Sequence, residues 1–275
     1  MKVAITGASG FIGTHLKRLY DNTIDIHRDE SVEEILVKLE GVDVVINLAG
    51  APIIKRWSEE YKKVLLSSRV DTTATLVEAI NQSNVRHFIS TSAIGAYPDG
   101  VACDEYSALG EDFLASLTKQ WERVAKKCTK PTTIIRFGVI LGADGGALAQ
   151  MLPPFKLGVG GVIGDGSMMM SWIDIDDLMG MYEFIIDNKL VGTFNATAPH
   201  PVSNTEFTKA LGAVLHRPTI FPLPIFVLKL LYGEGATVLT GSKEIYPKAI
   251  QEAGYMFRYP NIKDSLAHLL ESSEN

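Results

Sequence analysis

Along this chain, short and almost wholly apolar runs take turns with stretches whose apolar residues recur every three to four positions. Residues 3–5 (Val-Ala-Ile) and 42–48 are of the first kind, the pattern of parallel strands covered on both faces. Between them, Ile12, Leu16 and Leu19 share one face of a helix over 11–21, and residues 23–27 form a short second strand. Val32, Ile35, Leu36 and Leu39 fall at i, i+3, i+4 and i+7, an amphipathic helix that Gly41 ends. A long helix over 58–82 carries Tyr61, Val64, Leu65, Leu76 and Ile80, and a strand follows at 87–92. Phe113, Leu117, Trp121, Val124 and Cys128 recur at helical spacing, and residues 132–141 read as strand again. This alternation predicts an α/β fold with a Rossmann-type doubly wound parallel sheet. The domain covers residues 1–142, and later segments at about 171–200 complete its sheet.

After Gly142 the texture changes. Gly145-Gly146, Pro153-Pro154 and the glycine-rich run over 158–166 are expected to break regular structure. Residues 176–188 regain a helical pattern through Leu178, Tyr182, Ile185 and Ile186. Ser203-Asn204-Thr205-Glu206 is a capping box ahead of Phe207, Ala210, Leu211 and Val214. The apolar run over 221–232 holds two prolines and Lys229 and is too short to span a bilayer, so it predicts a buried or interfacial helix. Residues 143–275 thus mostly form a smaller C-terminal substrate lobe over the carboxyl edge of the sheet, where α/β folds bind ligands.

Composition narrows the function. A 275-residue chain that is 46% hydrophobic and 21% charged has the make-up of a soluble globular protein of one or two domains. Its net charge of −6, with no Lys/Arg cluster, argues against a nucleic-acid partner or an anionic membrane surface. Cys103 and Cys128 are too few for a disulfide framework, and no signal-peptide pattern precedes the first strand, so the expected location is cytoplasmic. No Cys/His spacing suits zinc, and Met168-Met169-Met170 reads as core or adaptable pocket lining, so no metal is expected.

The chemistry starts at Gly7, Gly10 and Gly13, which sit between the first strand and the first helix. Glycines let the backbone turn tightly and approach a pyrophosphate, while the helix end offers free N–H groups and a positive dipole. At the end of the second strand, Ile26-His27-Arg28-Asp29 presents a choice. Arg28 would favour the extra phosphate of NADP(H), whereas Asp29 would select the ribose hydroxyls of NAD(H). The arginine tips the expectation towards NADP(H).

Thr6-Gly7-Ala8-Ser9-Gly10-Phe11-Ile12-Gly13 resembles the nucleotide signature of the extended short-chain dehydrogenases/reductases, the NAD(P)-dependent epimerase/dehydratase group. Asn47-Leu48-Ala49-Gly50 resembles that group's strand-end motif beside the cofactor. Ser90-Thr91-Ser92-Ala93 resembles its active-site serine segment, and Arg136-Phe137-Gly138-Val139 its turn near the nicotinamide. With Gly50-Ala51-Pro52, Ser68-Arg69-Val70 and Trp172-Ile173-Asp174-Ile175-Asp176-Asp177, the whole chain resembles an atypical subgroup called epimerase family protein, or nucleoside-diphosphate-sugar epimerase-like. The subgroup's C-terminal domain of unknown function would lie at 233–270. The resemblance implies cofactor contacts at Gly7, Gly10, Phe11, Ile12, Gly13, Leu48, Ala49, Gly50 and Gly138, a structural role for the acidic run after Trp172, and a homodimer as a family-level expectation.

One part of the pattern is missing. The family's Tyr-x-x-x-Lys pair, in which lysine lowers the tyrosine pKa and tyrosine passes the proton, falls here at Leu114 and Thr118. Lys119 is one residue out of register, and Tyr259 with Lys263 has a proline inside its spacing. Ser92 remains as the active-site serine. Tyr97 either presents its hydroxyl near the nicotinamide or forms a lid with that hydroxyl in water. Arg69 either replaces the lost lysine charge or pairs with Glu105 or Asp71. Glu105 is either a substrate-side acid or a loop carboxylate. Two functions follow: an NAD(P)-dependent epimerase or oxidoreductase acting on a small polar metabolite such as a sugar nucleotide, or an inactive NADP(H)-binding or redox-sensing protein.

Overall fold

A computed structural model describes residues 1–271 of the chain. Six parallel strands form the central sheet: β1 (Val3–Thr6), β2 (Thr23–Ile26), β3 (Val44–Asn47), β4 (His87–Ala93), β5 (Thr132–Phe137) and β6 (Gly192–Ala196). Their order across the sheet is β6-β5-β4-β3-β1-β2. Helices α1 (Phe11–Leu19), α2 (Val32–Lys38), α3 (Glu59–Gln82) and α4 (Phe113–Ala125) connect the strands. Helix α6 (Ile175–Asp187) leads into β6.

Residue alternation in the strands sorts the core onto two faces. Val3, Ile5, Val44, Ile46 and Ile135 pack towards Leu16 of α1 and Leu178, Tyr182 and Ile185 of α6. Ala4, Val45, Phe88 and Ile134 pack towards Ile35, Leu76 and Ile80 of α2 and α3. Every residue of β1 and β3 is buried, which is why those runs lack polar alternation.

Two expectations are corrected. The strand read over 132–141 is two strands, interrupted at Gly138. Beyond it, Val139–Gly142 leaves the sheet and pairs with Trp172–Asp174. Pro153-Pro154 does not break the chain but lies inside helix α5 (Gly146–Lys156). Each proline removes a helical N–H, at a cost of about 3 kcal/mol in an isolated helix. Leu148, Leu152 and Phe155 bury that helix's inner face in the main core, against the strand Val139–Gly142.

The lobe adds α7 (Asn204–Val214), capped by Ser203 and Glu206, and α8 (Ile225–Tyr232). Helix Ile262–Glu271 packs on α7. Asp177 staples the tail to α6, accepting the amides of Arg258 at 2.7 Å and Tyr259 at 2.9 Å. Asp174 caps α6 and accepts the Ser265 hydroxyl at 2.6 Å. Burial pushes the Asp174 carboxyl up to about 6, against the pull of Ser265. Among the described residues, no helix is long and apolar enough to cross a membrane.

Candidate cofactor and active site

Thr6 lies beside Asn47 on one flank and Ile26 on the other, so β1, β2 and β3 end at the same level. Strand order reverses here, and the crevice above is where doubly wound folds receive ligands. Gly7 leaves β1 at φ +68°, a conformation that other residues rarely adopt. The Gly10 amide donates to the Gly7 carbonyl at 3.0 Å. A Cβ on Gly13 would stand 2.5 Å from the Gly7 oxygen and 2.6 Å from the Ala8 Cα. Turn and helix therefore touch backbone to backbone.

Helix α1 opens with no side-chain cap and no acidic residue in its first turn. Thr14 donates back to Gly10 at 2.9 Å, leaving the amides of residues 11–13 aimed past the helix end. Such an unopposed cradle fits a pyrophosphate. Phe11 supplies an amide here but not its ring, which meets His15 edge-on at 5.1 Å and fills the space above Gly142 and Gly145. Arg28 and Asp29 are both exposed at this edge, and neither enters an ion pair among the described residues.

Beside the turn, a cavity of ≈ 1070 Å³ runs from Ile12 past Leu48-Ala49-Gly50, Ser92 and Gly138 to Met168–Met170 and α8, while Gly7, Gly10 and Gly13 lie outside its lining. A buried hydrogen-bond chain fixes its floor. Thr6 donates to Asn47 at 2.7 Å, Asn47 Nδ2 donates to Thr73 at 2.8 Å, and Trp121 Nε1 donates to Thr73 at 2.9 Å. Gly138 has no room for a side chain, since a Cβ would stand 2.7 Å from the Ser171 carbonyl oxygen.

Leu114 and Thr118 both line the cavity, so the wall that would carry the tyrosine and lysine is present without them. The Thr118 hydroxyl donates to its own helix at the Leu114 carbonyl. Lys119 does not line the cavity, and Tyr259 stacks on His268 at 4.1 Å, outside it.

Arg69 pairs with neither Glu105 nor Asp71. Its guanidinium donates to the carbonyls of Ala51 at 2.9 Å and Leu65 at 3.2 Å, and lies 5.5 Å above the Trp121 ring. It also presses on Gly50, where a Cβ would stand 3.2 Å from its Cζ. Burial pushes its pKa down to about 10, and no carboxylate offsets that. Glu105 is occupied elsewhere, accepting the amides of Asn195 and Ala249.

Tyr97 follows neither reading from the sequence. It is fully buried, donates to Asn195 Oδ1 at 2.9 Å, accepts from Arg136 at 2.7 Å, and does not line the cavity. Burial raises its pKa further, against the counter-pull of Arg136. Tyr97 is a structural residue beneath the site.

Glu122 and Arg136 were not singled out from the sequence as site residues. Arg136 grips Glu122 with two parallel bonds, Nε to Oε1 at 2.7 Å and Nη2 to Oε2 at 2.9 Å. The two side chains are only 4–5% exposed. Burial alone would raise the Glu122 carboxyl, but Arg136 and Ser92 outweigh it and hold the group below the ordinary range. A charged residue inside the apolar run of β5 was the available signal.

This ion pair sets the polarity of Ser92. Ionised Glu122 can only accept, so the Ser92 hydroxyl donates to it at 2.7 Å. Towards the cavity Ser92 then presents lone pairs, which suit a substrate hydroxyl rather than a carbonyl oxygen. Glu122 is a weak proton acceptor at neutral pH, so a proton relay through it is unfavourable.

Known proteins resemble this chain in sequence and fold. The NAD dependent epimerase/dehydratase family matches residues 3–196, and a domain of unknown function (DUF1731) matches residues 223–269. An Arabidopsis thaliana protein, "Epimerase family protein SDR39U1 homolog, chloroplastic", is 38% identical, covering 98% of this chain and 87% of its own. The crystal structure of human epimerase family protein SDR39U1 with NADPH superposes with a TM-score of 0.92 at 31% identity, covering 98% of this chain and 99% of that one. A nucleoside-diphosphate sugar epimerase from Corynebacterium glutamicum superposes at 0.78 with 32% identity, over 98% of this chain and 58% of the other. This chain belongs to the NAD dependent epimerase/dehydratase family.

Proposed function

We propose that this protein is an NADP(H)-dependent oxidoreductase acting on a small molecule, working without a Tyr-x-x-x-Lys relay. One observation carries the reading: beside the uncapped glycine turn, at Ile12, begins a cavity that continues past Ser92 into a second lobe, which mere cofactor storage would not require. A bound nicotinamide, in its oxidised form, would accept hydride from an alcohol carbon. Around it, Ser92 accepts a hydrogen bond from that substrate hydroxyl, Arg69 adds an uncompensated positive charge, and water takes the hydroxyl proton. Turnover followed at 340 nm in both directions, NADP⁺ with a panel of alcohols and NADPH with the matching carbonyl compounds, tests this directly. Ser92→Ala should lower turnover about 100-fold through lost positioning while leaving NADPH affinity unchanged.

The preference for NADP(H) rests on Arg28, whose unpaired fork is exposed at the ribose edge. The human relative's NADPH supports it. Replacing Arg28 by Glu should weaken NADPH binding by roughly tenfold or more, the loss of one charge-assisted contact worth about 1.5 kcal/mol. NADH binding, titrated by nicotinamide fluorescence, should change little. Equal losses for both would assign Arg28 no role in the choice.

A second reading, an NADP(H)-binding or redox-sensing protein without turnover, is favoured by Leu114 and Thr118 on the cavity wall. Tight NADPH binding with no oxidation across the panel would select it.

A further inference from the structure

The lobe-side half of the cavity has the wrong chemistry for a nucleotide. A nucleoside diphosphate sugar brings one negative charge on each phosphate, which needs cations or free amides on arrival. Two cations line the cavity, Arg69 and Lys243, against three carboxylates, Asp99, Asp112 and Glu234. Lys243 is already paired with Asp99 at 2.7 Å and also donates to the Tyr97 carbonyl. Arg69 donates to the carbonyls of Leu65 and Ala51 and to the Ser68 hydroxyl, and its uncompensated charge lies against Gly50, on the cofactor side. Among the described residues, the lobe side keeps no uncommitted cation.

Its walls are apolar instead. Trp57, Leu117, Met169, Leu228 and Val238 face the space from both domains. The same character extends over the rim. Of helix α8, only Leu228 is buried. Phe226 is 69% exposed, Leu230 71% and Leu231 58%, and Phe221, itself on the cavity wall, is 53% exposed. Exposed apolar surface that continues into an apolar cavity marks a ligand entrance rather than a scatter of surface residues.

We infer that the lobe-side chamber takes an uncharged, largely apolar small molecule and turns away nucleoside diphosphate sugars. In the proposed function, on which the word substrate rests, this molecule is the substrate.

The test uses the full-length protein saturated with NADPH and the uncharged fluorophore N-phenyl-1-naphthylamine. Its emission should rise and saturate, 2-undecanone should displace it, and UDP-glucose should not. Leu231→Asp and Phe221→Asp, both at exposed positions, should each weaken probe binding about tenfold or more. Val37→Asp, at an apolar position 75% exposed and away from the cavity, should leave it unchanged. Displacement of the probe by UDP-glucose overturns the inference, as does an equal effect of Val37→Asp. A separate NADPH titration keeps the two readings apart. Failure of NADPH to bind, with the probe still captured and displaced by the ketone, sinks the cofactor reading and leaves this one standing. NADPH binding with UDP-glucose preferred to the ketone does the reverse.

Discussion

Glu122→Ala should cost the protein about 3–5 kcal/mol of stability, the loss expected when one partner of a buried ion pair is removed. The substitution leaves Arg136, buried between β5 and α4, with its charge opposed only by the Tyr97 hydroxyl. At this chain length the melting temperature should fall by roughly 10 °C. Replacing both partners, Glu122→Leu with Arg136→Met, should recover most of that loss, because no uncompensated charge remains. Thermal denaturation followed by circular dichroism distinguishes these outcomes, and a single variant that melts like the parent removes the ion pair from the account of stability. The pH dependence has a defined sign. Glu122 titrates lower in the folded state than in the unfolded chain, so its contribution is complete above the unfolded value of about 4.3. It is lost as pH falls through the depressed folded value. Acid should therefore destabilise the parent protein in that window more than it does the double variant.

Gly13→Val should weaken NADPH binding on the order of 100-fold or more, equivalent to about 2.7 kcal/mol. The atoms that a Cβ would strike, the Gly7 carbonyl oxygen and the Ala8 Cα, belong to the turn's own backbone. Relief of the clash must move helix α1 away from the turn and redirect the amides of residues 11–13. Gly10→Ala is the graded comparison. Its Cβ would meet the Gly7 oxygen at 3.2 Å, a contact that a small shift relieves, so its loss should be much smaller. Fluorescence titration with NADPH, alongside far-ultraviolet circular dichroism to verify folding, reads both variants. A folded Gly13→Val protein with parental affinity would move the phosphate site away from this turn.

The parts of this protein legible in its sequence are those made by neighbours along the chain. The alternation of strands and helices, the capping box at Ser203 and Glu206, and the glycine turn all depend on spacings of a few residues. That is why the sheet and the cofactor crevice could be read early. The strand over 132–141 misled because its period continues through Gly138, while the change of partner there answers to Ser171, 33 residues further on (171 − 138), whose carbonyl accepts the Val139 amide. Pro153-Pro154 misled for the complementary reason: local propensity opposes the helix, and burial of Leu148, Leu152 and Phe155 overrides it. The interior of the site was the least legible. Arg136 meets Glu122 across 14 residues and Tyr97 across 39, and Tyr97 reaches Asn195 across 98. Sequence spacing says nothing about pairs so far apart, because a buried charge can be satisfied by any element the sheet brings beside it. The residue types near the cofactor were therefore set by the sequence alone. Only the packing of α3 and α4 against the sheet decided that Ser92 would donate its hydrogen bond to Glu122 and that Arg69 would face the cavity with no carboxylate to neutralise it.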